Sequence, residues 1–339
     1  MINTLFSRLH LLITLALTLS LGACSTNSNP PADEEEKPPA EELTPIASVA
    51  PDGILETVTW NVEWYGGNNQ GPSDDFQQTK NVLRIVDSLD ADLYAFQEIS
   101  SQQALTELTN YMTDYEGLVA DYISYNQKMA FVYNANTIEI IESGYISKSD
   151  VRTEFQDQWD YYWANGRMPF FVNFRYTIND TKSKDFYAVI IHGKANTSDH
   201  QESYQRRQKA AEGLYYYLQD HKPDANIIML GDYNDDVDQS IYYLKQNGEK
   251  VYQETPYDEF VNDTASFSVI TKILSDSDES ASVNYDDIID HITMSNELFD
   301  KLIDSSAAVY YTPQDYISEY GKTTSDHLPV WVKFNLTKN

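Results

Sequence analysis

The sequence predicts an α+β fold in which two mixed β-sheets pack against each other and helices cover them. Runs of β-branched and aromatic residues outnumber helical patterns, and several of these runs follow one another with no helix between them. A doubly wound parallel sheet needs a helical crossover between most of its strands, so it fits this order less well. No internal linker or repeat interrupts the last roughly 285 residues, which indicates one large domain.

The chain begins with a predicted signal peptide, residues 1–23. Arg8 lies in a short head, and the apolar run from Leu11 to about Leu21 is shorter than the ~20 residues that span a bilayer. The letters LGAC, which end at Cys24, resemble the lipobox of bacterial lipoproteins. The resemblance implies that Cys24 becomes the lipidated first residue of an exported protein held at a membrane of the cell envelope. Because Cys24 is the only cysteine, disulfides and thiolate metal sites are then excluded.

Residues 24–51 are predicted to form a disordered tether. They are rich in Pro, Glu, Ser and Ala and contain almost no bulky apolar side chain. Such a segment buries too little apolar surface to offset the entropy cost of folding. The globular domain is therefore predicted to cover residues 52–339.

The charge balance limits the kinds of partner that suit the protein. Its 53 acidic and 23 basic residues give a formal net charge of -30, which repels a nucleic-acid backbone at long range. A protein that coats nucleic acid is therefore disfavoured, whereas a nuclease is not, because a local cationic cleft with a bound divalent cation can still hold one phosphate. Most of the acidity is attributed to a soluble surface.

The domain opens with a predicted strand, helix and strand. ILETVTWNV is a β-branched and aromatic run, and Ser73–Asp75 then resembles a helix N-cap with an acidic first turn. Apolar residues recur at helical spacing from Val82 to Leu89, and DLYAF predicts the second strand. A longer helix is predicted from about His200 to Leu218. Further strands are predicted at KMAFVYN, MPFFVNFRYTI, FYAVIIH, ANIIMLGDY, DIIDHITMS and LPVWVKFNL.

Polar side chains recur where these apolar strands stop or begin. They are carboxylates, amides and imidazoles with no thiolate, a set that suits a hard cation such as Mg²⁺ or Mn²⁺ together with a general base and phosphate donors. These residues are Asn61, Glu98, His192, Asp232, Asn234, Asp290, Asp326 and His327.

Seven short motifs occur in a fixed order through the globular part: WNVEW, FQEI, NGRMP, IIHGKA, LGDYND, IIDHITMS and SDHLPV. In that order they resemble the endonuclease/exonuclease/phosphatase superfamily, the deoxyribonuclease I-like fold. The resemblance implies a four-layer α/β/β/α sandwich and a phosphoesterase that depends on Mg²⁺, or on Mn²⁺ or Ca²⁺.

The resemblance also implies roles for the motif residues. Glu98 would be the principal metal ligand, supported by Asn61 and Asp326. His192 would form an orienting dyad with Asp290, whose carboxylate would fix the imidazole tautomer.

The remaining motif residues would handle the phosphate and the attacking water. His327 would contact the scissile phosphate as acid, base or clamp. Asp232 would position or deprotonate the water, and Asn234 would hold a phosphate oxygen. In an extended segment the side chains of Asp232 and Asn234 point to the same side and that of Tyr233 points away. Arg167 and Lys194 would complement the phosphate charge.

Nearby residues receive structural interpretations. His291 should face away from Asp290, and Asp235 and Asp236 are typical of an Asx-rich turn after a strand. The aromatic segment WDYYW, residues 159–163, leads into Arg167 and is therefore predicted to reach the cleft.

The leading functional hypothesis is a lipid-anchored, metal-dependent nuclease or related phosphodiesterase that acts on nucleic acid. A second hypothesis within the same fold is a phosphatase or phospholipase-type hydrolase of sugar, inositol or sphingolipid phosphates. A third is a surface binding module without catalysis. No protein partner is predicted.

Overall fold

The computed structural model describes residues 43, 45–47, 50–67 and 70–338. The predicted signal peptide, the lipidation site Cys24 and most of the predicted tether lie outside the described residues. Over the described ranges, no helix has the length and apolar character needed to cross a membrane.

The secondary structure follows the predicted order of elements and adds several short ones. In chain order the elements are β1 (Ile54–Tyr65), α1 (Asp75–Leu89), β2 (Leu93–Ile99), α2 (Gln102–Thr109), β3 (Tyr115–Val119), β4 (Lys128–Asn134), β5 (Ile138–Tyr145), α3 (Thr153–Gln156), α4 (Trp159–Tyr162), β6 (Phe170–Asn179), β7 (Lys182–His192), α5 (His200–His221), β8 (Ile227–Asp232), β9 (Tyr243–Gln246), β10 (Glu249–Tyr252), α6 (Asp258–Asn262), β11 (Phe267–Val269), α7 (Lys272–Ser275), β12 (Asp290–Ser295), a 3₁₀ turn (Asn296–Leu298), β13 (Ala308–Val309), α8 (Pro313–Tyr316), α9 (Tyr320–Thr323) and β14 (Val330–Asn335).

Twelve of the strands in the described chain form two six-stranded mixed sheets. Sheet 1 has the order β13-β14-β1-β2-β4-β3 and sheet 2 the order β11-β12-β8-β7-β6-β5. The pairs β1–β2 and β7–β8 are parallel, and the other pairs within the two sheets are antiparallel. Strands β9 and β10 form a separate hairpin.

Three apolar layers hold the elements together and confirm the predicted four-layer sandwich. The central layer joins inward residues of both sheets, for example Leu93 and Ile190. A second layer packs the outer face of sheet 1 on α1 and α2, and a third packs the outer face of sheet 2 on α4 and α5. Alternation along β7 explains this division, because Ile190 lies in the central layer and Ile191 in the outer one.

The predicted start of α1 is confirmed. The Asp74 side chain accepts a hydrogen bond from the Gln77 backbone N–H at 2.9 Å and so caps the first turn. Asp90, with φ 50°, ends the helix in a left-handed conformation. The buried face of α1, which includes Val82 and Ile85, packs on sheet 1.

The folded part of the chain begins ahead of residue 52. Ile46, within the segment predicted as a tether, is 7% exposed and forms a parallel bridge with Met112. Its backbone N–H donates to the Tyr111 carbonyl at 2.8 Å, and its carbonyl accepts from the Thr113 N–H at 2.9 Å. The apolar side chain of Ile46 is buried beside α2, which anchors this stretch on sheet 1.

Candidate active site

A cleft of about 420 Å³ lies where strands of both sheets end. Nine of the ten residues predicted to form the site line it, and Asp290 lies behind them in contact with His327. The nine residues are Asn61, Glu98, Arg167, His192, Lys194, Asp232, Asn234, Asp326 and His327.

Two irregularities in sheet 1 aim the acidic side of the cleft. The register of β1 with β2 shifts between Asn61 and Tyr65, and Glu63 there has φ 45°. The register of β2 with β4 shifts around Glu98, which has φ 64°. Positive φ is costly for a non-glycine residue, and bulges of this kind redirect side chains beside active sites.

Glu98 is buried and held on both carboxylate oxygens. One oxygen accepts from the Gln127 side-chain amide at 2.7 Å and the other from the Trp64 backbone N–H at 3.2 Å. Burial raises the pKa of Glu98, while the nearby charges of Arg167 and His327 oppose that rise. The sequence carried no signal for Gln127, which reaches Glu98 only because β4 pairs with β2.

Glu63 is a second carboxylate that sequence reasoning missed. Its Oε2 accepts from the Asp326 backbone N–H at 3.0 Å, and its own N–H donates to Asn61 Oδ1 at 3.0 Å. Burial, followed by the negative charges of Asp326 and Glu98, raises its pKa to about 7. Glu63 stands two residues after Asn61 within WNVEW, so alternation along the strand was an available signal.

Sheet 2 brings two predicted residues side by side. His192 at the end of β7 pairs in register with Asp232 at the end of the parallel strand β8. His192 Nε2 lies 3.3 Å from Asp232 Oδ2 and 3.9 Å from Glu98 Oε1. Burial lowers the pKa of His192 well below its usual range, and the charges of Arg167 and His327 act in the same direction, which favours the neutral imidazole.

Asp232 and Asn234 line the cleft while Tyr233 between them is fully buried, as alternation predicts. Asp232 Oδ2 accepts from the Asn61 side-chain amide at 3.1 Å, which links the two sheets. Asp232 Oδ1 accepts from the Asn234 backbone N–H at 2.8 Å. Burial raises the pKa of Asp232, and the Asp290 carboxylate adds to that rise while His327 opposes it.

The predicted dyad of His192 with Asp290 is wrong. Asp290 Oδ2 instead lies 2.6 Å from Nδ1 of His327. Asp290 pairs with Asp232 on one side of β8, and His192 pairs with Asp232 on the other. Two strand spacings, roughly 10 Å, therefore separate the backbones of Asp290 and His192.

The His327–Asp290 pair is buried and supported from behind. The His327 carbonyl accepts from the Trp60 indole N–H at 2.9 Å and from the Tyr320 hydroxyl at 2.7 Å. Burial alone would lower the pKa of His327, but the carboxylates of Asp290, Asp232 and Asp326 raise it well above its usual range. The surrounding carboxylates therefore favour the imidazolium form of His327, whose Nε2 lies 3.9 Å from Asp326 Oδ1.

Arg167 lies in the wall of the cleft but its guanidinium is largely committed to the backbone. Its Nε donates to the His192 carbonyl at 3.0 Å and its Nη2 to the Gly193 carbonyl at 2.8 Å. The side chain is 3% exposed. Arg167 thus holds the end of β7 in place and at the same time puts a buried positive charge beside the cleft.

A second buried arginine ties two cleft loops to α5. Arg207 Nε donates to Asp235 Oδ2 at 2.9 Å, and its Nη1 donates to the Lys194 carbonyl at 2.6 Å. Asp235 also accepts from the Ser240 hydroxyl and the Ile241 N–H. Asp235, expected to be only a turn residue, is therefore an internal ion-pair partner that orders the loop after β8.

Breaking this ion pair should destabilise the domain. Arg207→Met leaves the Asp235 carboxylate buried and unpaired, so we expect the free energy of unfolding to fall by about 3–5 kcal/mol. The double variant Arg207→Met/Asp235→Asn should be more stable than Arg207→Met, because neither member of the former ion pair then carries a buried charge. Urea denaturation measures both.

The matched control is Arg175→Met, which breaks an exposed ion pair with Asp185 of similar geometry, 2.8 Å. The urea midpoint of this control should stay close to that of the unaltered protein. Equal destabilisation by Arg175→Met and Arg207→Met would contradict the argument from burial.

Two further sequence interpretations are settled by position. His291 faces away from the cleft, with its Nδ1 2.9 Å from the Thr271 hydroxyl, as expected. The expectation that residues 159–163 line the cleft is wrong for its two indoles. Trp159, in the short helix α4, and Trp163, directly after it, are fully buried in the outer core that includes α5.

The described residues offer two settings for a divalent cation. Glu63, Glu98 and Asp326, with the Asn61 amide, present oxygen atoms on the acidic wall of the cleft, and burial together with the charges of Asp326 and Glu98 raises the pKa of Glu63. Asp232, Asp290 and His327 also bring ligand atoms within 4.8 Å of one another. In the second set, Asp290 Oδ2 and His327 Nδ1 are already hydrogen-bonded to each other at 2.6 Å. The oxygen-only set therefore fits a hard cation better.

Comparison with known proteins gives consistent results. The sequence profile described as the Endonuclease/Exonuclease/phosphatase family matches residues 58–327. A comparison with the curated proteins gives no match.

Solved structures share the fold at low sequence identity. The human Nocturnin catalytic domain with bound sulfate aligns with a TM-score of 0.54 and 17% identity, over 84% of this chain and 96% of that one. D. rerio TDP2 complexed with a single-strand DNA product aligns with a TM-score of 0.55 and 15% identity, over 84% and 100%. An AP endonuclease from Archaeoglobus fulgidus aligns with a TM-score of 0.55 and 14% identity, over 83% and 99%.

The profile match spans the motifs from β1 to His327, and two packed six-stranded sheets carry those motifs to one cleft. The chain belongs to the Endonuclease/Exonuclease/phosphatase family, whose members are phosphoesterase hydrolases.

Proposed function

We propose that this protein is a divalent-metal-dependent phosphodiesterase that hydrolyses nucleic acid. The observation that carries the proposal is the buried His327–Asp290 pair, 2.6 Å apart, in the same cleft as Asp232 and the acidic wall of Glu63 and Glu98. Groups suited to act as an acid, as a base and as oxygen ligands of a cation thus lie within one cleft.

Each polar group has a chemical task in this proposal. A bound divalent cation would polarise the phosphate and stabilise developing negative charge. Asp232, whose pKa burial raises, accepts the proton of the attacking water and is held in place by Asn61. His327, as an imidazolium, donates a proton or a hydrogen bond to the phosphate, and Asp290 fixes its orientation.

The opposite wall of the cleft suits the phosphate. Arg167 is buried beside it, and Lys194 lines it with its ammonium donating to the Ala195 carbonyl at 2.8 Å. The Asn234 side-chain amide also faces the cleft, 3.3 Å from the Gly193 carbonyl. In a chain with a formal net charge of -30, this cationic wall is the feature that favours an anionic polymer. Support also comes from the D. rerio TDP2 structure of the same fold, which holds a single-strand DNA product.

The experiment is hydrolysis by the purified protein of single-stranded DNA, RNA, a phosphomonoester and a 2′,3′-cyclic phosphate, each with Mg²⁺, Mn²⁺ or a chelator. The proposal expects chain cleavage that needs metal. Hydrolysis of only the monoester or the cyclic phosphate would assign the cleft to a phosphatase. Absence of metal-dependent hydrolysis of all four would favour a binding module.

We further propose that the protein is exported and anchored to a membrane of the cell envelope through lipid on Cys24. Support comes from the LGAC motif and the short apolar run before it. Cys24→Ser should move the full-length protein from the membrane fraction to the soluble fraction, because the acyl chains are the proposed attachment. Immunoblots of the two fractions measure this. Membrane association equal to that of the unaltered protein would refute the anchor, and Ser25→Ala, which keeps the cysteine, is the control.

A further inference from the structure

Beside the active-site cleft lies a groove of about 340 Å³ between α4 and α5, lined by Tyr161, Tyr162, Glu202, Arg206 and Lys209 among others. We call it the α4–α5 groove. Its residues combine aromatic rings, a carboxylate and two cations, and none of them belongs to the chemistry assigned above. We propose, on the basis of the proposed function, that this groove binds a nucleobase of the substrate strand next to the scissile phosphate.

The groove adjoins the active-site cleft at two hydrogen-bonded side chains. Asn165 lines the cleft, and its Oδ1 accepts from Arg206 Nη2 at 3.3 Å, while Arg206 lines the groove. Burial lowers the pKa of the Lys194 ammonium, and the Arg206 guanidinium lies close enough to Lys194 for its positive charge to lower that pKa further. A nucleic-acid strand whose phosphate contacts Lys194 would therefore place its neighbouring nucleotide at Arg206.

Tyr161 presents a ring surface that is already fixed in place. The Arg206 guanidinium covers one face of the ring, with its carbon 4.0 Å from the ring centre, and the side chain remains 38% exposed. The Tyr161 carbonyl accepts from Arg206 Nε at 2.9 Å, and its hydroxyl donates to Glu202 at 2.6 Å. The buried Trp159 anchors α4 against Gly213 of α5, where any Cβ would lie 2.6 Å from the indole. A ring held so rigidly loses little entropy when a base stacks on it.

The chemistry of the groove favours a nucleobase over an apolar ligand. A base offers a π-face to Tyr161 and an edge with donors and acceptors for the Glu202 carboxylate and the Gln205 and Gln208 amides, which also line the groove. Lys209, whose ammonium donates to Glu212 at 2.6 Å, adds a positive charge that suits the phosphate following the base.

The test compares two single-stranded oligonucleotides of equal length, one with normal bases and one with tetrahydrofuran abasic residues throughout. Tyr161→Ser should raise KM for the normal strand by about 5- to 150-fold, the range that loss of one aromatic stack produces, with kcat nearly unchanged. KM for the abasic strand should not change. Tyr161→Phe, which keeps the ring, should retain a KM close to that of the unaltered protein.

Tyr216, on α5, provides a matched control. Its ring lies under the Arg152 guanidinium at 3.9 Å, so it repeats the Tyr161–Arg206 arrangement at a surface that does not line the cleft. Tyr216→Ser should leave KM for both strands unchanged. Lys209→Gln leaves α4 intact. For both oligonucleotides it should lower the slope of log KM against log salt concentration by about 0.7.

The outcomes separate this proposal from the function on which it rests. Cleavage of both strands with a KM that Tyr161→Ser leaves unchanged would overturn the base subsite and leave the phosphodiesterase standing. An equal rise in KM for both strands would also overturn it, since the ring would then act without a base. Failure of the unaltered protein to cleave either strand with Mg²⁺ or Mn²⁺ would overturn both.

Discussion

Replacing His327 by Gln should lower kcat by about 10²- to 10⁴-fold, the range for loss of a positioned acid or base. The imidazolium is held 2.6 Å from Asp290 and faces the cleft, and a neutral amide can neither carry its charge nor donate its proton. Rates on a single-stranded oligonucleotide at saturating Mg²⁺ measure the loss. His200→Gln, at the exposed start of α5, is the control and should retain full activity.

A double-mutant cycle distinguishes the observed pair from independent residues. Asp290→Asn should also lower kcat, because it removes the carboxylate that orients and charges His327. In the double variant the two losses should be far from additive, since Asp290 acts mainly through His327. Additive losses would show that Asp290 acts through another group, for example Asp232, whose pKa is raised by burial and then by the Asp290 charge.

The error over Asp290 shows what the motifs could and could not predict. The motifs correctly placed His192 where a strand stops and Asp290 in or beside a strand, and the structure puts both strands in sheet 2. Which histidine the carboxylate meets depends on strand order, and β8 lies between β7 and β12. His327 arrives from the other sheet, at the start of β14, and no periodicity within a single strand encodes that approach.

The fold was more predictable than the contacts because its signals are local. Strand β4 covers the predicted KMAFVYN, and Asp74 caps α1 where the Ser73–Asp75 signal placed the start. The short helix α4 escaped prediction, and with it the burial of Trp159 and Trp163, because four residues contain too little periodicity to define a buried face. Gln127 and Arg207 act through partners distant in sequence, so neither carried a signal.

Replacing Glu98 by Gln should remove most of the divalent-cation affinity while leaving the fold intact. Glu98 is the buried member of the acidic wall, and the amide keeps its size but loses the charge that balances the cation. We expect the Mg²⁺ concentration for half-maximal activity to rise more than the 10- to 100-fold typical for loss of an outer-shell partner. Gln127→Leu removes the 2.7 Å hydrogen bond to Glu98. It should raise the Mg²⁺ concentration for half-maximal activity by about 10- to 100-fold.

Thermal unfolding gives a readout of the same site that does not depend on catalysis. A cation that binds only the folded protein raises its stability by RT ln(1 + [L]/Kd), about 2.7 kcal/mol at 100 times Kd. Mg²⁺ should therefore raise the Tm of the unaltered protein and of Asp290→Asn, but not of Glu98→Gln. The opposite pattern, a shift retained in Glu98→Gln and lost in Asp290→Asn, would move the cation to Asp232, Asp290 and His327, whose ligand atoms also lie within 4.8 Å of one another. Since a metal-bound imidazole is no longer an imidazolium, that result would also remove the acid from the proposed mechanism.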